Sequence, residues 1–233
     1  CNGNTCVDIA ASNGHTLCLG ILKDARCDLG RTDKNGLTPA YRAACKGHEG
    51  CLRMLMDAGC NLRQTIKNGL TLAFIAARNG HDGCLRVLKE AGCDLNKKYA
   101  GSTPAHEAVH NGYEACLRVL KEAGCDLGQA DNGGHTPACI AAQKGHEGCL
   151  RVLKEAGCNL EKACLFGLTP AYLATKKGHQ GCLRLLKDAG CYLKGDLAHV
   201  AAENGHEGCL RVLKEAGSNL GKAGFVGVTP AYW

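Results

Sequence analysis

Aromatic residues are scarce in this chain of 233 residues: Phe, Tyr and Trp together make up 4%. A core built on large rings is excluded, so Ala, Leu, Val and Cys must supply most of the buried surface. No apolar run approaches the roughly 18 residues of a membrane-spanning helix, so insertion into a bilayer is not expected. No block of about five or more like charges occurs, and the net charge of +6 is spread along the chain. That pattern supplies no strong electrostatic grip on nucleic acid, which is not expected as a partner. A phosphate-cradling loop, a G-x-S-x-G turn and a paired-carboxylate site are all missing, so neither catalysis nor a bound cofactor is expected.

What the chain does have is a period. The segment from Gly145 to Gly157, G-H-E-G-C-L-R-V-L-K-E-A-G, returns letter for letter at Gly205 to Gly217. Near-copies begin at Gly14, Gly47, Gly80, Gly112 and Gly178, and the successive intervals are 33, 33, 32, 33, 33 and 27 residues. Thr38-Pro39, Thr103-Pro104, Thr136-Pro137, Thr169-Pro170 and Thr229-Pro230 keep the same beat, with Thr71-Leu72 in the remaining full unit. A fixed period of this length marks a tandem array with one core running through it, and it overrides any domain count based on length. We divide the chain, as a single array over 1–233, into approximate units 2–34, 35–67, 68–99, 100–132, 133–165, 166–194 and 195–225, with a partial unit at 226–233. The chain starts and stops inside a unit, which suggests a piece of a longer array or an array whose ends a partner covers.

The unit from Asn35 to Lys67 shows the local logic. Asn35-Gly36 marks a turn. Thr38 suits a helix N-cap and Pro39 the first helical position, where no amide hydrogen is needed. Ala40, Ala43 and Ala44 give the first helix a small, close-packing face, and Gly47 ends it. A second helix starts near His48-Glu49, buries Cys51, Leu52, Leu55 and Ala58 at helical spacing, and ends at Gly59. The outer faces of the second helices carry charges four residues apart, such as Glu147, Arg151 and Glu155, as expected of a solvated surface. The fourth unit is one residue short. Between Cys191 and Asp196 about six residues of the usual finger are missing, so we expect no hairpin at 192–195, a local change of curvature, and Asp196 acting as the helix cap.

Eighteen cysteines would ordinarily suggest a disulfide scaffold. Their register argues for small buried thiols instead. Cys18, Cys51, Cys84, Cys116, Cys149, Cys182 and Cys209 share one repeat position. Cys27, Cys60, Cys93, Cys125, Cys158 and Cys191 share another, where the seventh unit tolerates Ser218. Helix axes about 8–10 Å apart disfavour disulfides that need Cα atoms within roughly 7 Å. His-x-x-Cys recurs, as at His48/Cys51, but the two cysteines of a unit lie roughly 13 Å apart along one helix and cannot share an ion. No metal is therefore expected. Cys1, Cys6, Cys45, Cys139 and Cys164 fall outside the two ladders, and Cys164, at a fingertip, is expected to be the most exposed thiol.

These features resemble the ankyrin repeat: Thr103-Pro104-Ala105-His106-Glu107-Ala108 at the opening of the fourth unit, the Gly-His between helices, and Gly124-Cys125-Asp126-Leu127 at its exit. The resemblance covers the whole chain. It implies an all-α repeat solenoid of stacked helix–turn–helix units with short β-hairpin fingers. It also implies a groove, lined by first-helix outer positions and fingertips, that holds a partner protein. Carried over by position, the partner-binding residues are Arg42, Lys46, Ile75, Arg78, Tyr99, Glu107, His110, Ile140, Lys144, Leu165, Phe166, Leu173, Lys176, Lys177, Phe225 and Val226. The Gly-His histidine is implied to bridge helix and finger. The family's opening His is replaced by Tyr41, Phe74, Cys139 or Tyr172, so its hydrogen bond is not expected in those units.

The expected function is a non-catalytic scaffold for protein–protein interaction. The alternatives are an accessory subunit held permanently in a larger assembly, or a thiol-based redox or metal module. Reduced core thiols point to an intracellular reducing compartment, the cytoplasm first, with an organelle stroma or matrix left open.

Overall fold

The computed structural model describes residues 5–66, 69–164 and 167–221. The chain divides into two compact units, Cys1–Asn132 and Gly133–Trp233. The first unit holds α1 (Cys6–Ser12), α2 (Thr16–Asp24), α3 (Pro39–Lys46), α4 (Glu49–Asp57), α5 (Leu72–Asn79), α6 (Asp82–Glu90), α7 (Pro104–His110) and α8 (Glu114–Glu122). The second holds α9 (Pro137–Lys144), α10 (Glu147–Glu155), α11 (Pro170–Lys177), α12 (Gln180–Asp188), α13 (Leu197–Glu203) and α14 (Glu207–Glu215). Within each unit, odd-numbered first helices pack on one another and even-numbered second helices do the same. Each repeat is thus one helix from each layer.

Capping sets the bounds of the helices. Thr38 is extended (φ −93°, ψ 160°), and its hydroxyl accepts the amide of Tyr41, with Pro39 opening the helix. Gly47 closes α3 in the left-handed conformation at φ 78°, which costs glycine nothing. At the end of α4, the amide of Cys60 reaches the Leu55 carbonyl (3.0 Å) and that of Gly59 reaches Met56 (2.9 Å). This paired closure satisfies two carbonyls that the helix leaves open. Arg26 fills the equivalent place after α2 at φ 57°, one of two non-glycine residues with positive φ among those described.

The other is Ala100, and it explains the short fourth unit. Tyr99 and Ser102 exchange both backbone hydrogen bonds (2.9 and 3.0 Å), so the finger closes through Ala100 (φ 50°) and Gly101 (φ 88°). Two consecutive positive φ values make the tight hairpin turn that twisted strands favour. This Tyr99–Ser102 bridge is isolated, so among the described residues the expected hairpin fingers are tight hydrogen-bonded turns rather than extended strands. The chain passes from α12 to α13 through 189–196 with no side-chain cap from Asp196, which sits at φ −86°, ψ 7°. Its backbone is not extended as Thr38's is, so the capping role expected of Asp196 is not met.

The core is the seam of leucines on the second helices. Leu52, Leu55, Leu85, Leu88, Leu117, Leu120, Leu150, Leu153, Leu183, Leu186 and Leu213 are fully buried. The first cysteine ladder joins them from Cys51 to Cys209, whereas Cys18 is exposed. Burial pushes the Cys84 and Cys182 thiols up to about 12, with nearby carboxylates adding to it. Cysteines from Cys6 to Cys209 are free thiols. The second ladder is only half-buried through most of its length. There Cys93 donates to the Leu62 carbonyl (3.5 Å) and Ser218 to that of Leu193 (2.5 Å). The slot is therefore small and also wants a hydrogen-bond donor, which is why Ser serves in it.

Candidate partner-binding face

Neighbouring repeats are registered by the Gly-His histidines. His48 Nε2 lies 3.0 Å from the Ser12 carbonyl and His81 Nε2 3.2 Å from that of Cys45. In the second unit, His179 meets Gln143 and His206 meets Lys176, each at 3.1 Å. The bridge expected between helix and finger runs instead to the C-terminal end of the preceding first helix, whose last carbonyls lack helical partners. The ring also lies on the preceding glycine, where a Cβ on Gly47 would come within 2.5 Å of His81 Nδ1. That glycine is thus required twice, by its φ and by the imidazole above it.

The second-helix surface is largely occupied with itself. Arg53 reaches Glu90 of the next repeat at 2.6 Å, and Lys187 reaches Glu215 at 2.9 Å. Hydrogen bonding to those cations holds the Glu90 and Glu215 carboxyls below the usual range. Within helices, Arg118 pairs with Glu114 at 2.7 Å, and Arg86 and Arg211 pair with Asp82 and Glu207. Such exposed pairs add little to stability each, but they leave these cations partnered.

The first-helix face differs. Lys46, Arg78 and His110 in the first unit are exposed, as are Lys144, Lys176 and Lys177 in the second. Arg78 lies 3.8 Å from half-buried Glu107, and Lys176 Nζ sits 6.0 Å over the Tyr172 ring.

Several expected partner-binding residues are committed elsewhere. Arg42 is clamped between Asp33 (2.7 Å) and Asp8 (3.3 Å), whose side chains are 3% exposed. Burial alone would raise the Asp33 carboxyl, but the amides of Leu37 and Asn35 and the Arg42 guanidinium outweigh it and bring it below its ordinary value. Arg42 is therefore an internal strut. Ile75, Ile140 and Leu173 are buried at 6, 9 and 6% exposure and offer a partner almost no surface. Leu173 packs with Cys139, Cys164 and Leu168, so the preceding finger covers it. Tyr99 packs edge-on against Phe74, with ring centroids 5.1 Å apart. Cys164, expected to be exposed, is buried at 6% in the same cluster as Leu173. Leu165, Phe166, Phe225 and Val226 lie outside the described residues.

Sequence reasoning missed the Asp8–Arg42–Asp33 strut, although Thr5-x-x-Asp8 carried a signal. Asp8 Oδ2 accepts the Thr5 amide at 2.8 Å, and the Asp8 amide in turn reaches the Thr5 hydroxyl, a reciprocal cap legible as a four-residue motif. Thr103 and His106 form the matching box in the fourth repeat. The family's hydrogen bond survives there, in a repeat that keeps the histidine.

The model for ankyrin repeats (3 copies) matches residues 1–66, 51–131, 106–196 and 140–223. Together these spans take in nearly all of the chain, which belongs to the ankyrin repeat family. No curated protein sequence matches it significantly. Among solved structures, the human ASB11 ankyrin repeat domain is similar at a TM-score of 0.80 and 23% identity, covering 91% of this chain and 98% of that one. The ankyrin repeat domain of Bcl-3, a member of the IkappaB protein family, is similar at 0.74 and 21%, covering 91% and 99%. At these identities the likeness is one of fold. Ankyrin repeat domains are in general modules of protein–protein interaction. No described helix is long and apolar enough to cross a membrane.

Proposed function

We propose that the chain is a non-catalytic scaffold that holds a partner protein on its first-helix ends and fingertips. The observation that carries this reading is an asymmetry between layers. Several second-helix charges are paired within and between repeats, whereas Lys46, Lys144, Lys176 and Lys177 stand exposed at first-helix ends, with exposed Arg78 only 3.8 Å from Glu107. Their sign favours an acidic or mixed partner surface. His110 and Glu107 add the polar contacts of a typical interface rim, and the fingertip positions Leu165, Phe166, Phe225 and Val226 complete the proposed surface. The test is quantitative capture from a native extract with the intact chain, with K176E/K177E, and with K214E on a second helix as control. The double variant should lose partners that K214E keeps. Identical partner sets for all three would remove the proposal.

A second reading has its own observation. Leu17 and Ile21 on α2 are 86 and 69% exposed, with Ile9 of α1 at 51%. Apolar side chains grouped this way favour a permanently covered surface, as in an accessory subunit of a larger assembly. Size-exclusion chromatography of the isolated chain separates the two: monodisperse behaviour argues against the subunit reading, and aggregation relieved by L17E/I21E supports it.

A further inference from the structure

The third residue of a first helix and the finger of the next repeat are paired along the chain. Phe74 of α5 meets Tyr99 of the following finger, ring against ring. Asp8 of α1 is joined to Asp33 of the following finger by the Arg42 guanidinium. In the second unit the same two places hold Cys139 of α9 and Cys164 of the finger between α10 and α11. Each pair matches in chemistry: rings with a ring, carboxylates sharing one cation, thiol with thiol. Neither of these cysteines belongs to a ladder, so the repeat consensus does not account for them.

The local geometry brings the two sulfur-bearing residues together. Cys139 is completely buried and Cys164 nearly so, in one cluster with Leu173. The Cys139 sulfur donates to the Lys162 carbonyl two residues before Cys164 (3.4 Å). On its other side the Thr136 hydroxyl meets it at 3.4 Å. The finger is short and closed: the Cys164 amide bonds the Leu168 carbonyl, and the Gly167 amide bonds the Cys164 carbonyl. Lys162 and Gly167 on either side are exposed. The two residues thus belong to a turn and a helix already packed in one cluster.

We propose that Cys139 and Cys164 are a thiol pair that a small-molecule disulfide oxidises to an intramolecular disulfide, stapling the finger to α9. Cys164, 6% exposed between the exposed Lys162 and Gly167, is nearer to solvent than the fully buried Cys139 and attacks first as its thiolate. It forms a mixed disulfide with one half of the reagent, and the other half leaves as a thiolate. The Cys139 sulfur then attacks the Cys164 sulfur, its proton passing to solvent, and displaces the second half. The balance is two protein thiols and one small disulfide giving one protein disulfide and two small thiols. Burial pushes the Cys139 thiol up, against the pull of Thr136, which suits a resolving sulfur rather than the attacking one. Cys149 and Cys182 lie in the second-helix seam and not in the cluster of Cys139 and Cys164.

The test incubates the intact native chain with oxidised glutathione, quenches with acid, alkylates after unfolding and maps the peptides by mass spectrometry. The expected result is loss of free thiol at Cys139 and Cys164 together, in one linked peptide that a reductant releases, while Cys149 and Cys182 stay fully alkylatable. In C139S, Cys164 should remain capped by glutathione; in C164S, Cys139 should stay unmodified. The proposal is overturned if both cysteines are alkylated in full after oxidation, which would make them two small residues filling a slot. It is also overturned if Cys164 links to a different cysteine. The wild-type map alone decides the matter should either variant fail to fold, and the outcome does not depend on any partner.

Discussion

The two layers of each unit divide the work between them. In the second helices the sequence changes little, the leucine seam is fully buried, and several surface charges are paired. In the first helices and fingers, the third helical residue alone runs through Asp8, Tyr41, Phe74, His106, Cys139, Tyr172 and His199. Interactions that recur in every repeat can hold a stack together without telling one repeat from the next, because stability in such arrays is summed over repeats and their neighbours. What varies is where the proposed recognition would lie. The difference also shows that exposure alone does not identify such positions. Arg42 looks like a recognition residue by position, yet its ion pairs are as structural as any leucine.

Breaking the constant layer should have the largest effect. Leu153→Ala removes a fully buried side chain and should cost about 2–5 kcal/mol, read as a lower urea midpoint with far-UV circular dichroism as the probe. Next is Gly47→Ala, which forces a side chain into the left-handed region and against His81. A left-handed alanine costs about 1–2 kcal/mol and the displaced His81 hydrogen bond about 1 kcal/mol more. Gly59→Ala has the same φ cost with nothing near its Cβ, so the difference between the two variants isolates the histidine.

Two substitutions of about equal size and opposite sign test the caps. Thr38→Ala should lose about 1 kcal/mol, and Arg26→Gly should gain about 1 kcal/mol by relieving a left-handed arginine. Both are read in thermal melts. The smallest effect belongs to the variable layer and depends on pH. Asp33 has a lowered value in the folded chain, so its contribution is fully present above the unfolded-state value and fades as pH falls through the folded one. The stability gap between the wild type and Asp33→Asn should be constant near neutrality and should close in acid. A gap that widened on acidification would contradict the strut.

The helices were legible because their signals are local. Thr38-Pro39 opens a helix by its own chemistry, Gly47 and Gly59 close theirs, and Cys51, Leu52 and Leu55 mark a buried face without reference to any neighbour. The exposure of the proposed partner-binding residues was legible in part. Lys46, Arg78, Lys144, Lys176 and Lys177 are exposed where the resemblance placed them. Ile75, Ile140 and Leu173 fall on the same helical face, but their burial depends on what packs over them, as the preceding finger does over Leu173, and nothing in the helix itself reports that cover. Cys164 misled for the same reason: a fingertip position reads as exposed until Cys139, twenty-five residues earlier, is seen beneath it. The histidine bridge was read as one to the finger, because a motif names the donor and not the carbonyl it reaches.

The division of labour is tested most directly by hydrogen–deuterium exchange of the intact chain, alone and with a captured partner. The account predicts that new protection on binding is confined to fingertips and first-helix ends around Lys46, Arg78, Lys144 and Lys177, while α4, α6, α10 and α12 exchange as they do in the free chain. New protection centred on those second helices, with the first-helix ends unchanged, would contradict it.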